Sequence, residues 1–328
     1  MNTTEEKQMK NPLDYKSEKR LLFQFAVPSI IAMLVGSLYN IVDQFFIGHS
    51  VGELGNAATN ISFPLSISCV AIALLFGIGG ASAFNISMGA GEKKKAVYYL
   101  GNSAIMLFSC GVVLCVITLM FLEPLLRFFG SPNNVLDYAK TYTGIIAFGF
   151  PFLILTTGGG HLIRADGRPN VSMVCNLTGA ILNTFLDALF VFGLNMGMRG
   201  AALATIIGQV LSAIMVIWCL SHCKTVSVGK EHLRVRKKII SRIISLGTAP
   251  FSNQLAMMVV QIVMNKSLKY YGSISVYGEA VPIACAGIIT KVNQVFMSFV
   301  IGISQGLQPI TSFNYGAKKY KRVKTAYT

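Results

Sequence analysis

Residues Ser221–Arg242 read SHCKTVSVGKEHLRVRKKIISR and hold seven of the 28 Lys and Arg residues. No other interior stretch is as long and as charged. Residues 21–220 before it are strongly apolar, and after it the sequence begins to repeat itself. A polar segment so placed reads as a connector between two copies of one membrane unit.

The composition agrees. Only 12% of the residues are charged and 53% are hydrophobic, with a mean hydropathy of +0.59. Water-soluble domains carry about 25% charged residues. Apolar runs longer than about 18 residues recur, which marks spanning helices. They do not alternate with a period of two, as the strands of a membrane barrel would. The fold class is therefore an all-α polytopic membrane protein. Spans are expected at 21–48, 55–87, 97–122, 138–161, 170–194, 200–220, 243–270 and 279–314, and a ninth starts near 320. Residues 1–20 form a polar tail, and the first apolar run is too long for a signal-peptide core.

The net charge of +15 has a topological explanation. With the N-terminus in the cytoplasm, the inner segments hold 22 Lys and Arg, including Lys7, Lys10 and the connector. The outer segments hold five: Arg127, Lys140, Arg199, Lys266 and Lys269. The positive-inside rule favours this orientation in the plasma membrane, and no nucleic-acid partner is needed to explain the charge. The seven cysteines are odd in number and contain no CxxC pair, so neither a disulfide framework nor a metal site is indicated. Cys219, His222 and Cys223 read as a helix end.

Two matches carry the repeat. LLFQFAVP (21–28) aligns with IISLGTAP (243–250), setting Pro28 opposite Pro250. GAGEKKKAV (89–97) resembles GAKKYKRV (316–323), and Gly79 and Gly306 keep the same spacing before them. Six spans precede the connector, so the two lobes face the same way about an axis along the membrane normal. The expected domains are a tail (1–20), a first six-helix lobe (21–220), the connector (221–242) and the start of a second lobe (243–328). Only two spans follow the connector, so the second lobe reads as truncated, with about four spans of ~20–30 residues missing. A closed six-helix lobe beside an open helix pair is the expected arrangement.

Ionisable groups inside a bilayer are expensive and point to function. Asp43, Asp187 and Lys291 lie well inside spans. The span limits put Asp43 and Asp187 ~9–11 Å below the outer surface, and Thr205 ~8 Å deep. Asn183 lies one turn from Asp187 on the same face. Oxygen ligands at a shared depth suit a hard cation or a proton. Two acids close together in a low dielectric cannot both ionise cheaply, so one readily takes up a proton. Polar stripes run along the last two spans: Gln254, Met258, Gln261 and Asn265 on one, Lys291, Gln294, Ser298 and Gln305 on the other. Each faces a cavity or a partner helix. The glycines of 77–91 have no preceding strand and are packing residues rather than a nucleotide loop. No Ser-His-Asp, HExxH or P-loop arrangement is present, so no enzyme is expected.

SLYNIVDQFFIG (37–48), LIRADGRPN (162–170), LNTFLDALFVFG (182–193), GAALAT (200–205) and QGLQPITSFNYGA (305–317) together resemble the multidrug and toxin extrusion (MATE) family of secondary transporters, in its bacterial branch. The resemblance runs from about residue 20 to the end. It implies two six-helix lobes, alternating access, and export of organic cations in exchange for H+ or Na+, with no other cofactor. It places Asp43, Asn183, Asp187 and Thr205 on the family's first-lobe cation site, and Pro28 on a helix bend linked to coupling. The cavity candidates are Asn40, Gln44, Gln254, Met258, Gln261, Asn265, Lys291, Gln294 and Ser298. The partners implied are the lipid bilayer and small cationic substrates, the full-length protein being a monomer. Two alternatives stand beside this: a lipid-linked precursor flippase of the same superfamily, and a non-transporting membrane fragment.

Overall fold

The computed structural model describes residues 12–327, all helices and their connections. Lys7 and Lys10 lie outside the described residues. A short α1 (Pro12–Tyr15) leads into α2 (Glu18–Val51) and α3 (Glu53–Gly89). Then follow α4 (Lys93–Met120), α5 (Leu122–Phe128), α6 (Asn133–Ile146) and α7 (Phe150–Ala165). α8 (Pro169–Asp187) continues into a π-helical turn, Ala188–Gly193, and α9 is Gly197–Ser221. After the connector come α10 (Lys237–Ser273), α11 (Ala280–Gly316) and α12 (Tyr320–Tyr327). Among the described residues eight helical segments are long and apolar enough to cross a membrane, with α6 and α7 counting as one.

The helices outrun the apolar runs that announce them, because polar residues at their ends keep helical hydrogen bonding. α10 starts at Lys237, inside the polar stretch. The bounds are sharpest where the backbone forces a turn. Gly52, at φ +80°, both ends α2 and precedes α3, a conformation that costs glycine little. Between α6 and α7 the chain tightens into a 3-10 turn, Ala147–Gly149. Pro151 follows it and cannot donate back to the preceding turn.

The lobes meet crosswise. α10 packs along α3, and α11 packs along α2 and α3, while α10 and α11 touch each other little. The first helix of each copy thus lies on the second helix of the other, a reciprocal arrangement of the kind parallel repeats make. Glycines mark the crossing. A Cβ on Gly89 would come within 2.1 Å of the Phe313 carbonyl oxygen, and one on Gly316 within 2.1 Å of the Ile86 carbonyl oxygen. Gly89 and Gly316 are the paired residues of the sequence repeat, so this contact is reciprocal. Gly79 packs in the same way on the Ile243 carbonyl, and its counterpart Gly306 lies on the backbone of Ala26.

The connector is fastened to the first lobe. Asp166 of LIRADGRPN is fully buried. It accepts from Arg168 Nε at 2.7 Å, from the backbone N–H groups of Lys224 and Thr225 at 2.8 and 3.0 Å, and from Thr225 Oγ1 at 2.5 Å. Farther on, Asn102 of α4 donates to the carbonyls of His232 and Arg234 and accepts from the Arg236 N–H. The Arg236 guanidinium lies 3.7 Å over the Tyr98 ring. Burial pushes the Cys223 thiol up to about 12, and His222 is exposed beside Trp218, so Cys219–Cys223 is a packed helix end. At the opposite end of the bundle, hydrogen bonds from Lys140 and Arg127 hold the Glu123 carboxyl below its usual range and tie α5 to α6.

Asp166→Ala leaves Arg168 and three donors of the connector without their acceptor. Losing one partner of a buried ion pair costs about 3 kcal/mol or more. The expected outcome is a lower melting temperature in detergent, with Asn102→Ala giving a smaller drop. An unchanged melting temperature in Asp166→Ala would remove the connector's anchoring role.

Candidate functional site

Three helices of the first lobe converge near their ends away from the basic connector. Asp43 lies eight residues before the end of α2, ~12 Å along the axis. Asp187 ends the α-helical part of α8, where the chain widens into the π-helical turn. Such turns insert an extra residue and recur at functional sites. Thr205 lies eight residues into α9.

Asp43, Asn183 and Asp187 face inward, and Thr205 is half-buried. Asp43 is 6% exposed, Asp187 0% and Asn183 3%. With its amide oriented to satisfy both neighbours, Asn183 donates to Asp187 Oδ2 at 3.2 Å and accepts from the Thr205 N–H at 3.1 Å. Thr205 Oγ1 donates to the Ala201 carbonyl at 3.0 Å. The structure therefore joins Asn183, Asp187 and Thr205 directly. Asp43 and Asp187 are within electrostatic range of each other. Among the described residues, Asp43 Oδ1 and Asp187 Oδ1 are both buried with no hydrogen-bond partner. Buried polar atoms are normally satisfied, and two orphan carboxylate oxygens in one region have the chemistry that suits a proton or a hard cation.

Tyr39 and Tyr142 flank the site, each within electrostatic range of both acids. The sequence reading passed over both. Tyr39 is one turn before Asp43 on α2, so helical spacing could have found it. Tyr142 comes from α6, and no sequence rule fixes the rotation of α6 against α2.

The cavity candidates divide. Gln44 is buried. Its Nε2 donates to Asn56 Oδ1 at 2.6 Å and Thr59 Oγ1 at 3.2 Å, and its Oε1 accepts from the Lys291 ammonium. Gln44 and Lys291 line a cavity of about 470 Å³ with Ile41, Phe45, Asn56 and Ile288. Gln261 and Asn265 instead join α10 to α3: Asn60 Nδ2 donates to Asn265 Oδ1 at 3.2 Å, and Gln261 Nε2 to the same oxygen at 3.1 Å. Ser298 meets Ser37 Oγ at 2.8 Å, joining α11 to α2. Met258 Sδ accepts from Ser68 Oγ at 3.0 Å. Gln305 Nε2 meets Met33 Sδ at 3.6 Å. Asn40 folds back on the Gly36 carbonyl at 2.7 Å. Gln254 is half-buried and Gln294 is exposed. The stripes thus turn their centres to the first lobe and stay partly open at Gln254, Lys291 and Gln294. Pro28 is buried within α2, whose helical hydrogen bonding continues on both sides of it.

A duplicated helical bundle with crosswise repeats and paired acids buried in one lobe defines a polytopic membrane protein of the parallel-repeat kind. The chain belongs to the MatE family, whose model matches residues 28–189 and 251–328. It is 27% identical over 301 residues to the multidrug export protein MepA of Staphylococcus haemolyticus, covering 92% of this chain and 65% of that protein. It is 27% identical over 316 residues to MepA of Staphylococcus aureus (strain NCTC 8325 / PS 47), covering 95% and 68%. The chain thus spans about two thirds of the length of these relatives. Among solved structures it is similar to the MATE multidrug transporter DinF-BH. The TM-score there is 0.88 and the identity 30%, over 97% of this chain and 70% of that one. A Pyrococcus furiosus transporter of the MOP superfamily shares the fold, with a TM-score of 0.85 at 23% identity, over 96% of this chain and 69% of that one.

Proposed function

We propose that the chain serves export of organic cations and drugs by alternating access, in exchange for H+ or Na+ taken up at Asp43 and Asp187. The carrying observation is the pair of buried carboxylates, each with an unpartnered oxygen, of which Asp187 is joined through Asn183 to Thr205. Such a site releases or binds a cation as its exposure changes, which is what coupling requires. The relatives' names, multidrug export protein and multidrug transporter, support drugs as cargo. A cavity for a pyrophosphate lipid would present several cations, whereas the charges within electrostatic range of one another here are Asp43 and Asp187 against Lys291. In this reading the basic end of the bundle faces the cytoplasm of a plasma-membrane protein that works as a monomer, and Pro28 lets α2 flex between states.

Asp43→Asn, in the protein expressed from its natural gene, is expected to lower drug resistance and dye efflux to the level of cells lacking the gene. Membrane abundance should stay unchanged, because removing a buried acid lowers the desolvation cost. Normal efflux by this variant would make Asp43 a structural residue and refute the coupling role.

A further inference from the structure

Lys291 is the single charged residue among the 37 of α11. Asp43 is the only acid of α2 beyond its first residue, Glu18. The two helices belong to different copies of the repeat, and they bring these charges within electrostatic range without a direct ion pair. The Lys291 ammonium donates to Gln44 Oε1, on the residue next to Asp43, and it lies within electrostatic range of the Asp43 carboxylate.

The amide between them is set rather than incidental. Both donors of Gln44 are spent on Asn56 Oδ1 and Thr59 Oγ1. Its oxygen must then face α11, where only a donor is welcome; the reversed amide would point an NH₂ at an ammonium. A half-buried ammonium within a bilayer needs such an acceptor and a nearby anion to offset its lost hydration. Asp43 is the acid whose charge acts on the Lys291 ammonium. His49 and Glu53 line the rim of the cavity, at the turn between α2 and α3. Asp187, Tyr39 and Tyr142 surround Asp43 from within the first lobe. Lys291 itself lines the 470 Å³ cavity, and its flexible four-carbon stem allows the ammonium to leave Gln44 without moving α11.

We propose that Lys291 is the resident cation of the Asp43 site, a specificity-determining residue whose ammonium an organic cation must displace before pairing with that carboxylate. The identity of the displacing ligand rests on the export reading above; the pairing of Lys291 with Asp43 does not. Lys291 then holds the empty site near neutrality and sets a threshold against weakly bound cations.

The test uses the protein expressed from its natural gene and purified in detergent. Binding of ethidium, a monovalent fluorescent cation, is measured for the wild type, Lys291→Met, Lys291→Arg, Asp43→Asn and the Asp43→Asn/Lys291→Met double variant. Lys291→Met should bind about tenfold more tightly, a modest Coulombic effect. Lys291→Arg should match the wild type, and the gain should vanish in the Asp43→Asn background. Melting temperatures of the same proteins give an independent arm. The two single substitutions should couple, the double variant being more stable than the sum of their shifts. Unchanged or weaker binding in Lys291→Met, a gain that persists with Asp43→Asn, or additive melting shifts would each overturn the proposal. If ethidium binds none of the proteins, the cation-cargo reading fails alone, and the melting cycle still decides whether Lys291 and Asp43 form a pair.

Discussion

Asp187→Asn is expected to abolish ion-coupled efflux, a loss of about a hundredfold or more, while the first lobe stays folded. The fold survives because the Asn side-chain oxygen can still accept from Asn183, which donates to Asp187 Oδ2 at 3.2 Å. The function fails because the orphan oxygen Asp187 Oδ1 loses its charge and with it the capacity to hold a proton or a metal cation. Asp187→Glu then separates the two ions. One added methylene shifts the carboxylate by ~1.5 Å, about one carbon–carbon bond. Na+ needs several oxygens at once in fixed geometry, so a sodium site tolerates that shift badly. A proton needs only an acid in a low-dielectric setting. Thr205→Val sharpens the contrast, since it removes an oxygen that a sodium site would use and a proton site would not. Dye efflux measured against imposed proton and sodium gradients reads all three variants. Equal tolerance of Glu at positions 43 and 187, with Thr205→Val active, selects H+; loss in both Asp187→Glu and Thr205→Val selects Na+. Full efflux by Asp187→Asn would sink the two-acid site.

Much of this architecture is legible in the sequence because a bilayer leaves few options. Span count, connector and repeat follow from hydropathy and from Pro28 against Pro250, since every spanning backbone must be helical. The places of Asp43, Asn183, Asp187 and Thr205 along their helices are legible too, because position along a helix is linear in residue number. Rotation of one helix against another is not. It depends on packing across the interface, which is why Tyr142 went unseen and why Asn265 faces Asn60 rather than a cavity. The π-helical turn after Asp187 shifts helical phase by an amount that no periodicity rule contains. The role of LIRADGRPN was also hidden. Asp166 holds backbone N–H groups 58 and 59 residues away, and backbone donors carry no sequence label. Lys291 stood out as a lone charge in an apolar helix, but its partner Gln44 lies 247 residues earlier.

The other large effect belongs to the glycines where the lobes cross. Gly89→Ala and Gly316→Ala each place a methyl 2.1 Å from a carbonyl oxygen of the facing helix. That oxygen belongs to a helix backbone and cannot rotate away, so α3 and α11 must part by more than an ångström. Overpacking of this kind costs about 3 kcal/mol, enough to lower the melting temperature markedly. The reciprocity of the contact makes a sharper forecast, because both substitutions push on one crossing. Their combination should therefore cost less than the sum of the two, the first having already opened the gap that the second needs. Gly36→Ala is the control. It adds a methyl to α2 with nothing within 4 Å, so it should be neutral or stabilise the helix by up to about 1 kcal/mol. The separation can be read directly from a disulfide placed across the same seam, with cysteines replacing Ser82 and Gln308, whose side chains meet at 2.9 Å. Oxidative cross-linking of that pair should be efficient in the parent and in Gly36→Ala, and slowed in Gly89→Ala and Gly316→Ala. Equal cross-linking in all four proteins would mean that the helices do not cross at these glycines.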